Sequence, residues 1–128
     1  DYDRLLSLCD FNIVRGEDSF VRAQFAGRPM LWHLYPQHQD AHLPKMEAFF
    51  SLYSEKSKAE ATLHSFWSCW NQGEDCRDLW HHLRPQLPAL QRQARSWQQK
   101  LAQRPDLAAN LVQFYRERGE INGTDSAC

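Results

Sequence analysis

Leu8-Cys9-Asp10-Phe11-Asn12-Ile13-Val14, followed by Arg15-Gly16-Glu17-Asp18-Ser19 and then by Phe20 through Tyr35, is the stretch whose reading decides the fold. Leu8 to Val14 alternates and ends in β-branched residues, which predicts a strand entering a core. Arg15 to Ser19 breaks that pattern. Asp18 or Ser19 suits an N-cap, and Phe20, Val21, Ala23, Gln24 and Phe25 continue at helical spacing. Gly27 fits the left-handed position beyond a helix end, and Pro29 blocks continuation. Met30-Leu31-Trp32-His33-Leu34-Tyr35 reads as a second buried strand, stopped by Pro36. Strand, helix and strand on short loops make a βαβ unit, hence a parallel pair.

Downstream the pattern is helical throughout. A helix is expected from near Asp40, with Leu43, Met46, Phe49, Phe50 and Tyr53 on one face. Another is expected from about Ser57 to Gln72, striped by Leu63, Phe66, Trp67 and Trp70 and stopped at Gly73. A short helix around Asp75 to Leu83 and a longer one over Pro85 to Gln103 follow. Pro105 then suits the first turn of a last helix running through Arg118. The chain thus divides by character into a strand-helix-strand segment at 1–38, a helical remainder at 39–119 and a tail at 120–128. Two strands and so many helices make an incomplete sheet, so further strands are expected upstream. Both strands are nearly all apolar, which suggests an open parallel sheet covered on two faces.

With 128 residues the chain suits one domain or a piece of one. The formal net charge of −1 hides no basic half, which argues against broad binding to nucleic acid. No apolar run approaches the roughly 20 residues that span a bilayer, so no membrane partner is expected. Asp1-Tyr2-Asp3-Arg4 has neither an initiator Met nor the apolar run of a signal peptide, so the chain is expected to start inside a longer protein. Cys9, Cys69, Cys76 and Cys128 form no CxxC pair. Reduced thiols and a cytoplasmic setting are the expectation. Asn122-Gly123-Thr124 then reads as a chance match to the glycosylation triplet.

Chemistry is expected at Arg15-Gly16-Glu17-Asp18-Ser19-Phe20, at the carboxyl end of a strand and the opening of a helix. Unpaired amides and a partial positive charge at a helix start favour phosphate. Gly16 permits close approach of the backbone, Arg15 can add a forked contact, and Ser19 offers a hydroxyl. Tyr35, at the end of the second strand, would open onto the same edge. The plainer alternative is that Asp18 and Ser19 are caps, Arg15 a solvated charge and Tyr35 a core tyrosine with a satisfied hydroxyl. His38 with His42, and Cys69 and Cys76 with His81 and His82, match no standard zinc spacing, so no metal is expected.

Arg15 through Gly27 resembles the signature of the bacterial protein-arginine rhamnosyltransferases that modify elongation factor P, the EarP family. The likeness continues through Arg28-Pro29, Trp32-His33-Leu34-Tyr35-Pro36-Gln37 and Asp40-Ala41-His42. It is weaker in Tyr2 to Leu6, Trp70-Asn71, Asp106-Leu107-Ala108 and Phe114. The resemblance implies a Rossmann-like GT-B glycosyltransferase, of which this chain is the carboxy-terminal part of the donor-binding domain. It further implies transfer of rhamnose from dTDP-β-L-rhamnose to an arginine of elongation factor P, with inversion and without a metal or cofactor. Asp18, Ser19 and Tyr35 would then contact the diphosphate and Arg15 would order the loop. Glu17 matches a glutamate required for activity, and Tyr2 stands where the family has a Phe that packs on the thymine. The family's general base is an aspartate of the amino-terminal domain, so this piece alone is expected to be inactive. The competing reading is a noncatalytic helical module that docks a protein partner, and a further one is another phosphate-ligand enzyme using the same helix terminus.

Overall fold

The computed structural model describes residues 1–34, 42–110 and 112–113, without the side chains at 42 and 43. In chain order the elements are α1 (Tyr2–Leu8), β1 (Asn12–Arg15), α2 (Glu17–Phe25), β2 (Met30–His33), α3 (His42–Tyr53), α4 (Lys58–Asn71), α5 (Arg77–Leu83) and α6 (Leu87–Gln103). One 3-10 turn, Arg84–Gln86, joins the last two helices, and helical backbone recurs at 105–110 and 112–113. β1 and β2 form a parallel pair, giving an α/β, helix-rich chain. Two compact units result, Asp1–Trp32 with Gln91–Cys128, and His33–Leu90. They cut the chain differently from its change of character near residue 38, because α6 contributes to both.

The first unit is built around α2. Its buried side chains Phe20, Val21 and Ala23 join Val14 of β1, Met30 to Trp32 of β2, and Ala94, Trp97 and Leu101 of α6. Phe20 stacks on Trp32 with ring centroids 4.1 Å apart, a contact worth ~0.5–1.5 kcal/mol beyond burial. α2 ends as the sequence predicts, with Gly27 at φ 70°. Its final carbonyls lack partners within the helix. α6 supplies one of them, for Gln98 Nε2 donates to Phe25 O at 2.7 Å, and Gln91 Nε2 donates to Gly27 O just beyond the helix at 2.8 Å. Arg28 donates to Ser7 O at 2.8 Å and to Gln91 Oε1 at 3.2 Å.

The expected strand over Leu8 to Val14 is corrected to a helix, a break and a shorter strand. Asp1 caps α1, accepting the N–H groups of Asp3 at 2.9 Å and Arg4 at 3.3 Å. Asn12 then donates its side-chain amide to Leu6 O at 2.9 Å, which closes the helix and starts β1. α1 leaves no periodic trace because only Leu6 is buried, whereas Leu5 and Leu8 are exposed. β1 alternates, with Asn12 and Val14 buried and Ile13 exposed, so the expected two-sided burial holds for β2 alone. The second strand stops at His33, two residues short of its expected end at Tyr35, which lies outside the described residues.

The second unit is an aromatic helical cluster. Phe49 stacks on Trp67 at 5.3 Å and on Tyr53 at 4.8 Å, while Phe50 meets Trp67 edge-on at 4.9 Å. These are the residues of the predicted stripes of α3 and α4. Ser57 caps α4 by accepting the Glu60 N–H at 3.1 Å, and Gly73, at φ 74°, closes its far end. The carboxyl end of β2 is tied to α4. Trp70 donates its indole N–H to His33 Nδ1 at 2.9 Å, and Asn71 Oδ1 accepts the Leu34 N–H at 2.7 Å.

Candidate functional site

β1 passes into α2 through one residue. Gly16 is buried and sits at φ 77°, ψ 156°, a conformation open essentially to glycine. It turns the chain so that α2 starts at the very end of the strand. The first intrahelical bond is Phe20 N–H to Gly16 O at 3.1 Å, so the amides of Glu17, Asp18 and Ser19 precede the first helical donor. The expected side-chain cap at Asp18 or Ser19 is corrected: Gly16 is the N-cap, and no side chain caps the helix. The reason lies in the backbone, since the turn is made before either residue is reached. Asp18 and Ser19 therefore occupy the first turn rather than the flanking position.

Arg15, Glu17, Asp18 and Ser19 are brought together by contiguity around this turn. Arg15 is the exposed last residue of β1, Glu17 and Ser19 are half-buried, and Asp18 is exposed. Glu17 and Asp18 complement the partial positive charge of the helix start. Asp18 is also engaged sideways, since its Oδ2 lies 3.2 Å from Arg22 Nε, and Arg22 Nη1 lies 3.8 Å from Asp3 of α1. Such exposed pairs add ~0–1 kcal/mol to stability. Their electrical effect matters more here, because Arg22 offsets the Asp18 charge next to the helix amides. Arg22 was legible at the i,i+4 spacing from Asp18 but absent from the predicted set.

Tyr2 opens α1, which packs against α2, and the residue is 41% exposed, on the same unit as the Gly16 turn. Tyr35 lies outside the described residues, although the chain leading to it is held by Trp70 and Asn71 of the second unit. The weak likeness at Trp70-Asn71 was the only sequence signal for that anchoring pair. Among the described residues no three His, Cys, Asp or Glu side chains gather as a metal would need. No described helix is long and apolar enough to cross a membrane.

An open groove of about 670 Å³ in the second unit is lined by Glu47, Phe50, Ser54, Glu60 and His64, among others. Its carboxylates are already committed within the fold. Glu47 pairs with His64 at 2.7 Å, and Glu60 accepts the Ser54 hydroxyl and the Glu55 N–H. The Gly16 turn is the better candidate, for it opens a helix that no side chain caps.

Residues 1–116 match the family model described as Elongation-Factor P (EF-P) rhamnosyltransferase EarP. The chain is 53% identical over 119 residues to a protein-arginine rhamnosyltransferase of Pseudomonas aeruginosa, covering 91% of this chain and 32% of that protein. It is 52% identical over 118 residues to the protein of the same name from Pseudomonas putida, covering 91% of this chain and 31% of that one. Its fold is similar, at a TM-score of 0.71 and 48% identity, to a structure solved for EarP-mediated arginine glycosylation of translation elongation factor EF-P, covering 91% of this chain and 37% of that chain. The chain spans about a third of the length of the curated relatives it matches. With the signature at Arg15 to Gly27 folded into a glycine-opened helix start and the match running through nearly all of the chain, it belongs to the EarP family of elongation factor P rhamnosyltransferases.

Proposed function

We propose that this chain forms the carboxy-terminal part of the donor-binding domain, Rossmann-like and of GT-B type, in a protein-arginine rhamnosyltransferase. The complete enzyme moves rhamnose from dTDP-β-L-rhamnose to an arginine side chain of elongation factor P, with inversion and without a cofactor. It works in the cytoplasm, where a translation factor is met. The observation that carries the reading is the buried Gly16 at φ 77°, which sets the amides of Glu17, Asp18 and Ser19 at the end of β1. Family membership supports the reaction class.

The chemistry follows from where charge develops. As the anomeric C–O bond breaks, negative charge grows on the departing diphosphate. The field of a helix start stabilises such charge by about 0.3–1 kcal/mol when exposed and up to ~2 kcal/mol when partly buried. At ~1.4 kcal/mol per factor of ten, that gives roughly two- to thirtyfold in rate. The Ser19 hydroxyl adds a charge-assisted hydrogen bond worth ~1.5–3 kcal/mol, and Arg15 orders the loop. Asp18 contacts the same group through its place in the first turn, with Arg22 moderating its charge. Tyr35 enters through the resemblance as a phenol donor, and Tyr2 as a ring against thymine. The acceptor arginine is a poor nucleophile, because its guanidinium holds its proton up to a pKa above ~12. Glu17 helps localise that charge, while an aspartate from the amino-terminal domain orients the guanidinium for in-line attack. Without that domain the chain transfers nothing.

Calorimetry with dTDP on the full-length protein, paired with rhamnosyl transfer to elongation factor P, tests this. Ser19→Ala weakens dTDP binding about tenfold or more, and Tyr35→Phe weakens it less. Glu17→Gln leaves dTDP binding within about twofold and removes transfer, as expected of a group acting on the acceptor side. A full-length protein that ignores dTDP but captures another protein favours the docking-module reading. Unchanged binding and transfer in Ser19→Ala and Glu17→Gln together overturns the assignment of the turn.

A further inference from the structure

Two thiols face each other where α4 turns into α5. Cys69 belongs to the last turn of α4 and is buried, whereas Cys76 immediately precedes α5 and is half-buried. Their sulfurs are 3.0 Å apart. The turn between them is fixed at both ends. Glu74 N–H donates back to Cys69 O at 3.1 Å and Gly73 N–H to Trp70 O at 3.1 Å, the paired bonds of a Schellman closure. On the far side Asp75 accepts the Arg77 N–H at 3.1 Å and its guanidinium at 2.7 Å, which sets the start of α5. With both flanks held, the sulfurs need close only ~1 Å to reach bonding distance. The sequence gives no such signal, since seven positions separate the cysteines and local spacing suggests no pair.

We propose that Cys69 and Cys76 are a reversible modification site, forming an intramolecular disulfide by exchange with a small-molecule disulfide of the glutathione class. Cys76, the more accessible thiol, gives up its proton and attacks one sulfur of the small disulfide. That S–S bond breaks, a mixed disulfide forms on Cys76, and one small thiolate leaves and takes up a proton. Cys69 then loses its proton and attacks the Cys76 sulfur, expelling the second small thiolate, which is protonated in turn. Two protein thiols and one small disulfide become one protein disulfide and two small thiols. The protein pair is oxidised by two electrons and the small disulfide is reduced by the same two. Excess small thiol runs the sequence backwards.

Geometry and acidity act at different points. Burial first, and then the hydrogen bond with Cys69, push the Cys76 thiol up to about 12, so its thiolate is scarce at neutral pH and the first step is slow. The second step is intramolecular between sulfurs already in contact, so the mixed disulfide does not accumulate. The pair therefore rests reduced under thiol-rich conditions and, once oxidised, is bridged rather than capped.

The test incubates the full-length protein with excess oxidised glutathione, quenches with acid and maps peptides without reduction. A Cys69–Cys76 bridge, two hydrogens lighter than the dithiol, is expected to exceed the glutathione adduct of Cys76 by about tenfold or more. Reduced glutathione restores both thiols, and Cys69→Ser converts the product to a stable Cys76 adduct. Because that variant can fail to fold, the peptide map of the unsubstituted protein stands as the deciding readout. The proposal is overturned if both thiols stay free, if the Cys76 adduct accumulates without a bridge, or if Cys76 links instead to Cys9 or Cys128.

Discussion

Trp97 donates its indole N–H to Oε1 of Gln24 at 3.0 Å, with both side chains almost sealed from water although 73 positions separate them. Gln24 also donates to Phe20 O at 3.4 Å. The pair is a buried polar bond between α2 and α6 within one unit. Trp97→Phe keeps most of the apolar volume but strands the Gln24 acceptor, whose desolvation costs about 1–3 kcal/mol. The denaturation midpoint of the full-length protein should fall accordingly. A midpoint unmoved by Trp97→Phe would mean that the bond contributes nothing net.

Gly27 and Gln98 share one small space. A Cβ at Gly27 would lie 2.5 Å from Gln98 Oε1, and the residue sits at φ 70°. Gly27→Ala should therefore cost ~1–2 kcal/mol in backbone conformation, plus about 1 kcal/mol as Gln98 is displaced from Phe25 O. In Gln98→Ala the second part is already spent, so the double variant should be less destabilised than the sum. Strict additivity in a double-mutant cycle refutes this.

Asn71 holds the amide of buried Leu34 at 2.7 Å while donating to Trp67 O at 2.9 Å. Asn71→Ala leaves the Leu34 N–H without that acceptor, at about 1–3 kcal/mol. Hydrogen exchange at Leu34 should accelerate by roughly the matching factor, five- to hundredfold or more. Asn71→Asp retains an acceptor and should exchange more slowly than Asn71→Ala. Equal exchange in all three proteins contradicts the role given to this side chain.

Tyr53 is buried, and burial, reinforced by the charges of Glu55 and Glu60, raises its phenol above the ordinary value of 10.0. The folded protein holds that proton more tightly than the unfolded chain does. Its stabilising effect is therefore complete below pH ~10 and is lost as pH rises from there towards the folded value. The melting temperature should drop on that alkaline limb, and the drop should be shallower in Tyr53→Phe. A limb of the same steepness in both proteins excludes Tyr53 as its source.

Most of the helical skeleton was legible because its signals are local. The spacing of Met46, Phe49, Phe50 and Tyr53, the helix start near Ser57 and the stops at Gly27 and Gly73 each act within a few residues, and the folded chain uses them all. The break between strand and helix at Gly16 was legible for the same reason. What failed was α1, whose apolar residues are mostly exposed and so write no periodic pattern, and the cap of α2, which the backbone at Gly16 supplies instead.

The sequence by itself determined a parallel βαβ unit, a string of helices after it, and membership of a family through one long signature. Only the tertiary structure decided which polar groups go inside and with whom: Gln24 with Trp97, Asn71 with Leu34, Cys69 with Cys76. Helix and turn preferences are set by neighbours in the chain. A buried N–H donor is tolerated only through a partner brought to it by folding, and side-chain types alone do not reveal which one arrives.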